Sequence, residues 1–273
     1  MNGALRKKAK WILIYGLLII ASLISVFPLY WAFISAFNNT QQILGGRMLP
    51  SGYLAQNVRN LLEQAEVLTA FKNSTVNTLM VLVLSLTVCS FAGYGFEIYH
   101  DKAKDLVMRI LMLSMMVPFV AILVPMFQMF SSMKLMNKTM GFVLPSISTP
   151  FLIMLFRSNA RTFPRDIIEA ARIDGLNEVQ IFLRMFVPTM RPTYAAAATI
   201  TFMNTWNAYM WPRVIMKTQE SITMPMLVSN LMNTYVVDYG VVMAGVTICT
   251  LPTIIIFFFL QKSFTEAIAG SVK

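Results

Sequence analysis

Six long stretches without a charged residue constrain the fold of this 273-residue chain more than any other feature. In order, they are residues 11–37, 73–96, 110–133, 139–156, 192–212 and 239–261. A helix that crosses a lipid bilayer needs about 20 predominantly apolar residues. Each stretch is therefore predicted to form a membrane-spanning helix. The fold class is predicted to be all-α, an integral membrane protein with six transmembrane helices.

Overall composition supports this interpretation, because only 12% of the residues are charged. Soluble globular proteins carry about 25% charged residues. A seventh charge-free stretch, residues 221–237, is shorter and rich in Ser, Thr and Asn. It is interpreted as a loop or a re-entrant segment.

The distribution of basic residues predicts the orientation in the membrane. Six spans place both termini on the same side, and 15 of the 22 Lys and Arg residues then fall on that side. Cytoplasmic segments of membrane proteins carry the excess of Lys and Arg. Both termini are therefore predicted to be cytoplasmic. The net charge of +10 follows from this topology, so it requires no nucleic-acid partner.

A polar stretch, residues 169–188, interrupts the apolar sequence on the predicted cytoplasmic side. Gly175 is a natural helix stop, because glycine accepts the left-handed conformation after a helix end. Asn177 can cap a second helix, with Gln180 three residues later in a capping-box spacing. The stretch is predicted to form a helix, a glycine turn and a second helix that ends near Phe186. The pattern alone also allows an inert, solvated connector.

The same stretch resembles the EAA signature of permease subunits of binding-protein-dependent ABC importers. The residues that fall on this signature in register are Glu169, Ala170, Ala171, Gly175 and Pro188, with Asp174 before the glycine. Met185 and Val187 stand where the signature has Ile and Leu. In that family the stretch docks onto an ATPase, so the resemblance implies that these residues form the ATPase-docking site.

Two further segments narrow the resemblance to carbohydrate permeases related to the maltose system. Residues 205–212 are similar to a Trp-Asn-aromatic-x-Trp-Pro stretch of those permeases, and residues 267–273 are similar to their short glycine-containing tail. The resemblance implies a type I ABC importer subunit that imports a sugar, with an oligosaccharide as the expected substrate. An ABC importer of a non-sugar solute and a stand-alone secondary transporter are the alternatives.

The resemblance also implies partners and a domain organisation. The partners would be a second homologous permease, two cytoplasmic ATPases that bind ATP and Mg²⁺, an extracytoplasmic sugar-binding protein and membrane lipid. The location would be a bacterial inner or plasma membrane. The expected organisation is an N-terminal region with the first span and an outer loop, a permease core with five spans, and a cytoplasmic tail, over residues 1–70, 71–262 and 263–273.

Polar and aromatic side chains in the fifth stretch are the candidates for a solute path. They are Asn204, Trp206, Asn207, Tyr209 and Trp211. Amides bind sugar hydroxyls and aromatic rings stack on sugar C–H faces, so these residues fit a sugar. Trp and Tyr also favour the membrane interface as anchors, and that alternative stays open. Asn77, Ser85, Gln128 and Asn230 are weaker candidates.

Groups that would indicate catalysis are missing from the sequence. There is no GxxxxGK[ST] phosphate loop, no His/Cys cluster for a metal and no nucleophile–base set. The chain is therefore expected to have no catalytic residues and no cofactor of its own. The single histidine, His100, is interpreted as structural. Glu97 is interpreted as an interfacial charge near Lys102 rather than a proton carrier.

Overall fold

The computed structural model describes the backbone of residues 2–270 and the side chains of residues 10–261. Within these residues the chain is helical and contains no β-strand, which confirms the predicted all-α fold class. Its α-helices are α1 (Asn2–Ser35), α2 (Thr40–Leu44), α3 (Leu54–Gln64), α4 (Val67–Ile98), α5 (Lys102–Ser114), α6 (Phe119–Ser132), α7 (Thr139–Val143), α8 (Pro150–Ala160), α9 (Arg165–Ile173), α10 (Glu178–Ile181), α11 (Val187–Thr189), α12 (Arg191–Trp206), α13 (Met210–Ile215), α14 (Met224–Leu231) and α15 (Tyr239–Gly270). Two 3-10 turns, Leu144–Ser146 and Gln219–Ser221, and a π-helical segment, Phe182–Phe186, complete the helical structure.

Three helices among the described residues are long and apolar enough to cross a membrane unbroken. They are Lys10–Ser35, Val67–Ile98 and Tyr239–Gln261, and they coincide with the first, second and sixth charge-free stretches. Two bent helix pairs also qualify, which raises the total to as many as five. The seventh stretch contains only the eight-residue α14, in agreement with the prediction of a loop or re-entrant segment.

Proline explains why the third and fourth stretches are bent pairs rather than single helices. The pair Lys102–Ser114 and Phe119–Ser132 bends by 100°, and Pro118 stands at the start of its second helix. The pair Thr139–Ser146 and Pro150–Ala160 bends by 46°, with Pro150 at the first position of α8. Proline lacks a backbone donor and clashes with the preceding turn, so it interrupts a helix or begins a new one.

The fifth stretch does not form one continuous helix. α12 has 16 residues and ends at Trp206, and α13 begins at Met210. The Asn207 side chain donates a hydrogen bond to the Met203 carbonyl at 2.8 Å, and such local side-chain bonds compete with helix continuation. Sixteen residues span about 24 Å at 1.5 Å per residue, less than the hydrocarbon core of about 30 Å. The sixth transmembrane crossing therefore stays a prediction.

Contacts divide the chain into two compact units, of which the first combines Met1–Glu66 with Leu227–Thr250. Buried asparagines hold this unit together. The amide of Asn57 donates to the carbonyl oxygens of Ala36 and Asn38, both at 2.9 Å. Gly240 lies against Asn38 and Asn57, and a Cβ at Gly240 would stand 2.7 Å from the Asn57 side-chain oxygen. The start of α15 thereby packs closely against α3 and the residues that follow α1.

The second unit, Val67–Met226 with Leu251–Lys273, is built around α4, α8 and α12. Its apolar core contains the buried residues Cys89, Phe156 and Ala197. The backbones of α4 and α8 come close at Gly93, where a Cβ would lie 2.5 Å from the Phe156 Cβ. Small residues at such crossings allow close helix packing in membranes.

The predicted C-terminal tail is described only in part. α15 continues beyond the sixth charge-free stretch to Gly270. Residues 271–273, and all side chains after residue 261, lie outside the described residues.

Candidate functional sites in a polar hairpin and a cavity

The polar stretch folds as a helical hairpin, which we call the polar hairpin and define as residues 165–189. Its first helix is α9, and its second helical arm is formed by α10, the π-helical segment and α11. The predicted helix–turn–helix is confirmed. The second arm ends at Thr189 rather than near Phe186, because the helical backbone continues through Pro188.

Gly175 makes the turn of the polar hairpin. Its φ of +80° lies in the left-handed region, which a residue with a Cβ adopts at a cost of about 1–2 kcal/mol. The Gly175 N–H donates to the Arg172 carbonyl, and the Leu176 N–H donates to the Ala171 carbonyl, both at 3.0 Å. These two bonds form a Schellman motif, which satisfies the last carbonyls of α9.

Asn177 starts the second arm with the predicted capping box. The Asn177 side chain accepts from the Gln180 N–H at 2.9 Å, and the Gln180 side chain accepts from the Asn177 N–H at 3.0 Å. Both donors would otherwise be unpaired at a helix start. The turn is thus held by hydrogen bonds among residues between Ala171 and Gln180.

The inner face of the polar hairpin packs against other helices of the second unit, to which the hairpin itself belongs. Ile168, Ala171, Ile181, Phe182 and Phe186 are buried in one cluster with side chains from elsewhere in the unit, namely Tyr94, Ala160, Phe163 and Met190. The signature variants Met185 and Val187 pack partly buried against this cluster. The ring of Phe182 stacks on Phe91 of α4 at 4.0 Å between centroids. The hairpin is therefore anchored to α4.

Ala171 is buried, unlike the other predicted docking residues. It is only 4% exposed and faces the buried cluster, because it lies three residues after Ile168 on the same face of α9. The other predicted docking residues are exposed, and they are Glu169, Ala170, Asp174, Gly175 and Pro188. Ala171 packs in the buried cluster beneath the hairpin. The remaining five residues are accessible, and we call them the accessible face of the hairpin.

A polar triad closes the turn. Arg172 Nε donates to Glu178 Oε1 at 2.8 Å, and Tyr99, just beyond α4, interacts with both residues. Hydrogen bonding from Tyr99 and then from Arg172 lowers the pKa of the Glu178 carboxyl. Glu178 is therefore ionised at neutral pH. Both ends of the ion pair are nearly half exposed, so the pair orients the turn and contributes little stability.

A cluster of charges at the ends of α4, α5 and α8 was not predicted from the sequence. Arg157 is buried and donates to Glu97 at 3.3 Å and to Asp105 at 2.5 Å. Arg161 also reaches Glu97, and His100 reaches Asp105. Lys102 was the predicted neighbour of Glu97. The ion-pair partners of Glu97 are instead Arg157 in α8 and Arg161 at the end of α8.

The second unit also contains a partly open cavity of about 530 Å³. We call it the α4–α12 cavity, since its wall includes Ser85 of α4 and Asn204 of α12. Ligand pockets commonly measure about 300–1,000 Å³. Its aromatic side chains are Phe142, Phe151 and Trp211. The Trp211 Nε1–H donates to the Gly141 carbonyl at 3.0 Å, which fixes the ring against the wall.

The predicted solute-path residues separate into two groups. Asn204 and Trp211 line the α4–α12 cavity. Trp206 is 3% exposed and does not line it, since its ring stacks on Phe202 at 5.7 Å. Asn207 and Tyr209 are exposed but are also absent from the cavity wall.

Several cavity residues were not predicted from the sequence. Thr149, Thr201 and Thr205 line the wall, although nothing in their local sequence distinguishes them from other membrane threonines. Only the packing of α8 and α12 against α4 brings them together.

The family model described as "binding-protein-dependent transport system inner membrane component" matches residues 90–269. The chain is also similar over its full length to curated proteins. It is 38% identical over 273 residues to a lactose transport system permease protein of Rhizobium radiobacter, with 100% of both chains covered. It is 31% identical over 269 residues to an arabinooligosaccharides transport system permease protein of Halalkalibacterium halodurans, with 96% of both chains covered.

A solved structure shares the fold. It is a chain of a bacterial ABC transporter involved in the import of the acidic polysaccharide alginate, with a TM-score of 0.83 and 21% identity. The match covers 95% of the present chain and 98% of the other. The helical arrangement described above is thus an established membrane-protein fold.

Proposed function

The chain belongs to the family of binding-protein-dependent transport system inner membrane components, and from this premise we propose that it is the membrane-spanning subunit of an ATP-driven saccharide importer. The assignment of a saccharide as the solute is supported by the full-length similarity to permease proteins named for lactose and for arabinooligosaccharides. The chain is a transport subunit and not itself an enzyme. More specifically, we propose that the imported saccharide is an oligosaccharide.

The proposed complex contains a second, homologous permease, two ATPases and an extracytoplasmic sugar-binding protein. ATP and Mg²⁺ would bind to the ATPases, and the present chain would hold neither. Residues 71–262 would form the permease core, with an N-terminal region at 1–70 and a tail at 263–273. A stand-alone secondary transporter would purify alone, whereas the proposed subunit would co-purify with its ATPase.

The polar hairpin is the proposed ATPase-docking element. Its accessible face carries Glu169, Ala170, Asp174, Gly175 and Pro188. Its other face is tied to α4 through the Phe182–Phe91 stack. An amphipathic helix that seats in a groove is a common recognition mode. Movement of a docked ATPase would therefore be transmitted to a helix that lines the α4–α12 cavity.

Charge reversal at Glu169 tests the docking proposal. The proposal pairs Glu169 with basic or amide groups of the ATPase. We expect Glu169→Lys to reduce ATPase recovery in a pull-down by about tenfold, since a lysine would repel those basic groups. Glu169→Gln should give an intermediate loss. Glu63→Lys is the matched control, because Glu63 is also an exposed acidic residue on a helix but lies outside the hairpin. Equal recovery with Glu169→Lys and Glu63→Lys would mean that the hairpin is only a solvated connector.

The orientation of the chain is a further proposal, supported by the excess of basic residues on one side of the six charge-free stretches. We expect Asp166→Cys to react with a membrane-impermeant thiol reagent only after the cytoplasmic face is opened. Glu63→Cys should react in intact spheroplasts. Both positions are exposed on the chain, so burial would not block the reagent. The reverse pattern of labelling would invert the topology.

A further inference from the structure

The wall of the α4–α12 cavity combines neutral polar side chains with apolar and aromatic ones. Of the thirteen residues that line it, six carry a hydroxyl or an amide and three are aromatic. All thirteen lie within the described part of the chain, and none of them is Asp, Glu, Lys, Arg or His. An ionised solute would lose hydration there without gaining an opposite charge, which is unfavourable. The wall therefore discriminates against anions and cations.

Most of the accessible wall is carbon, contributed by aromatic and aliphatic side chains such as Phe142, Phe151 and Leu152. A saccharide ring presents C–H faces that pack on such a surface and hydroxyls at its edge. The six polar side chains contribute little accessible polar surface to the wall, so a sugar would bind there weakly. Weak binding suits a transport path, because the solute must be able to leave the site as well as enter it.

Two threonines of the wall have hydrogen-bonding capacity that the chain does not use. The Oγ1 atoms of Thr149 and Thr201 are buried, and neither has a hydrogen-bond partner among the described residues. Leaving a buried hydroxyl without a partner is unfavourable. Thr199 on the same helix shows the usual solution, since its Oγ1 donates to the Ala195 carbonyl at 2.8 Å. A hydroxyl both donates and accepts, so Thr149 and Thr201 have hydrogen-bonding capacity for a cavity occupant.

Asn204 adds an amide to the same wall. It is exposed, it lies one helical turn after Thr201 on α12, and it lines the cavity. An amide both donates and accepts hydrogen bonds, as a sugar hydroxyl does. Thr201 and Asn204 thus place two neutral hydrogen-bonding groups side by side on one face of α12.

We infer that the α4–α12 cavity is a saccharide-contact site within this chain and that it selects an uncharged sugar over an acidic one, with Asn204, Thr201 and Thr149 as its polar contacts. The inference rests on the proposed function as a saccharide importer. It assigns a substrate contact to this permease rather than to its partner alone, and it excludes acidic saccharides as the transported solute.

The test uses the complete complex, with permease partner, ATPases and binding protein, reconstituted in proteoliposomes. Lactose and an arabino-oligosaccharide are the neutral probes, and an alginate oligosaccharide is the acidic probe. The measured quantity is the number of sugar molecules imported per ATP hydrolysed. Asn204→Leu and Thr201→Val are expected to lower this ratio by roughly two- to tenfold, since each removes one hydrogen bond. ATP turnover stimulated by the binding protein should persist, which a misfolded complex would not allow.

Thr199→Val is the matched control. It makes the same substitution on the same helix, but Thr199 is bonded to its own backbone and does not line the cavity. Ratios equal to the wild type in both cavity variants would overturn the inference, and so would preferential import of the alginate oligosaccharide. In either case the wild-type complex would still import a saccharide, so the proposed function would stand. A wild-type complex that imports none of the three probes would contradict the proposed function itself, and the inference would fail with it.

Discussion

Replacing Gly93 with leucine is expected to destabilise the membrane domain by about 3 kcal/mol or more and to remove most of the correctly assembled chain. A Cβ at this position would lie 2.5 Å from the Phe156 Cβ and 2.8 Å from the Arg157 backbone nitrogen. The second of these atoms belongs to the backbone, so α4 and α8 would have to separate. Overpacking of a well-packed core commonly costs about 1–3 kcal/mol, and more where backbone must move.

The separation would also reach the charge cluster. Arg157 contacts Glu97 and Asp105 only because α8 lies close to α4 and α5. If α8 moves outward, two carboxylates lose their shared guanidinium partner near the membrane surface. The yield of monodisperse complex after detergent extraction and its thermal unfolding midpoint measure the combined effect.

Gly95 provides the matched control on the same helix. A Cβ at Gly95 meets nothing within 4 Å, so Gly95→Leu introduces the same side chain without a clash. Gly95→Leu is expected to leave yield and unfolding midpoint close to the wild type. Gly93→Ala should fall between the wild type and Gly93→Leu. If Gly93→Leu and Gly95→Leu were equally well tolerated, the close approach of α4 and α8 would not be a feature of the folded protein.

The second large effect is expected at the hairpin turn, where Gly175→Val should lower sugar uptake by roughly tenfold or more while the chain still inserts. No atom outside the turn lies within 4 Å of a Cβ at this position, so the strain comes from the backbone alone. At a φ of +80°, a residue with a Cβ costs about 1–2 kcal/mol, and a β-branched residue is worse placed still. The turn would open and misalign Glu169 and Pro188 on the docking face.

Two other substitutions separate the role of the turn from general instability. Gly175→Asn should retain most of the uptake, because asparagine tolerates the left-handed region. Gly46→Val carries the same strain elsewhere, since Gly46 has a φ of +73° and equally free surroundings. Uptake and ATPase pull-down should stay near the wild type for Gly46→Val. Equal losses for Gly46→Val and Gly175→Val would assign the effect to stability rather than to docking.

Features that depend on neighbouring residues were predictable from the sequence. Five of the six charge-free stretches form helices or bent helix pairs, because a backbone in lipid must satisfy its own hydrogen bonds. The hairpin turn was predictable because Gly175, Asn177 and Gln180 act on residues at most four positions away. In each case the cause and its effect lie within one or two helical turns.

Features that depend on distant segments became apparent only in the tertiary structure. Arg157 and Glu97 are 60 residues apart in the chain and meet because Gly93 allows α8 to approach α4. Ala171 belongs to the docking signature by sequence, but the packing of α9 on Tyr94 and Phe186 decides that it is buried.

Asn204 and Trp206 are equally plausible solute contacts in the sequence. The rotation of α12 directs Asn204 to the cavity and Trp206 into a stack with Phe202, because two positions along a helix are about 200° apart.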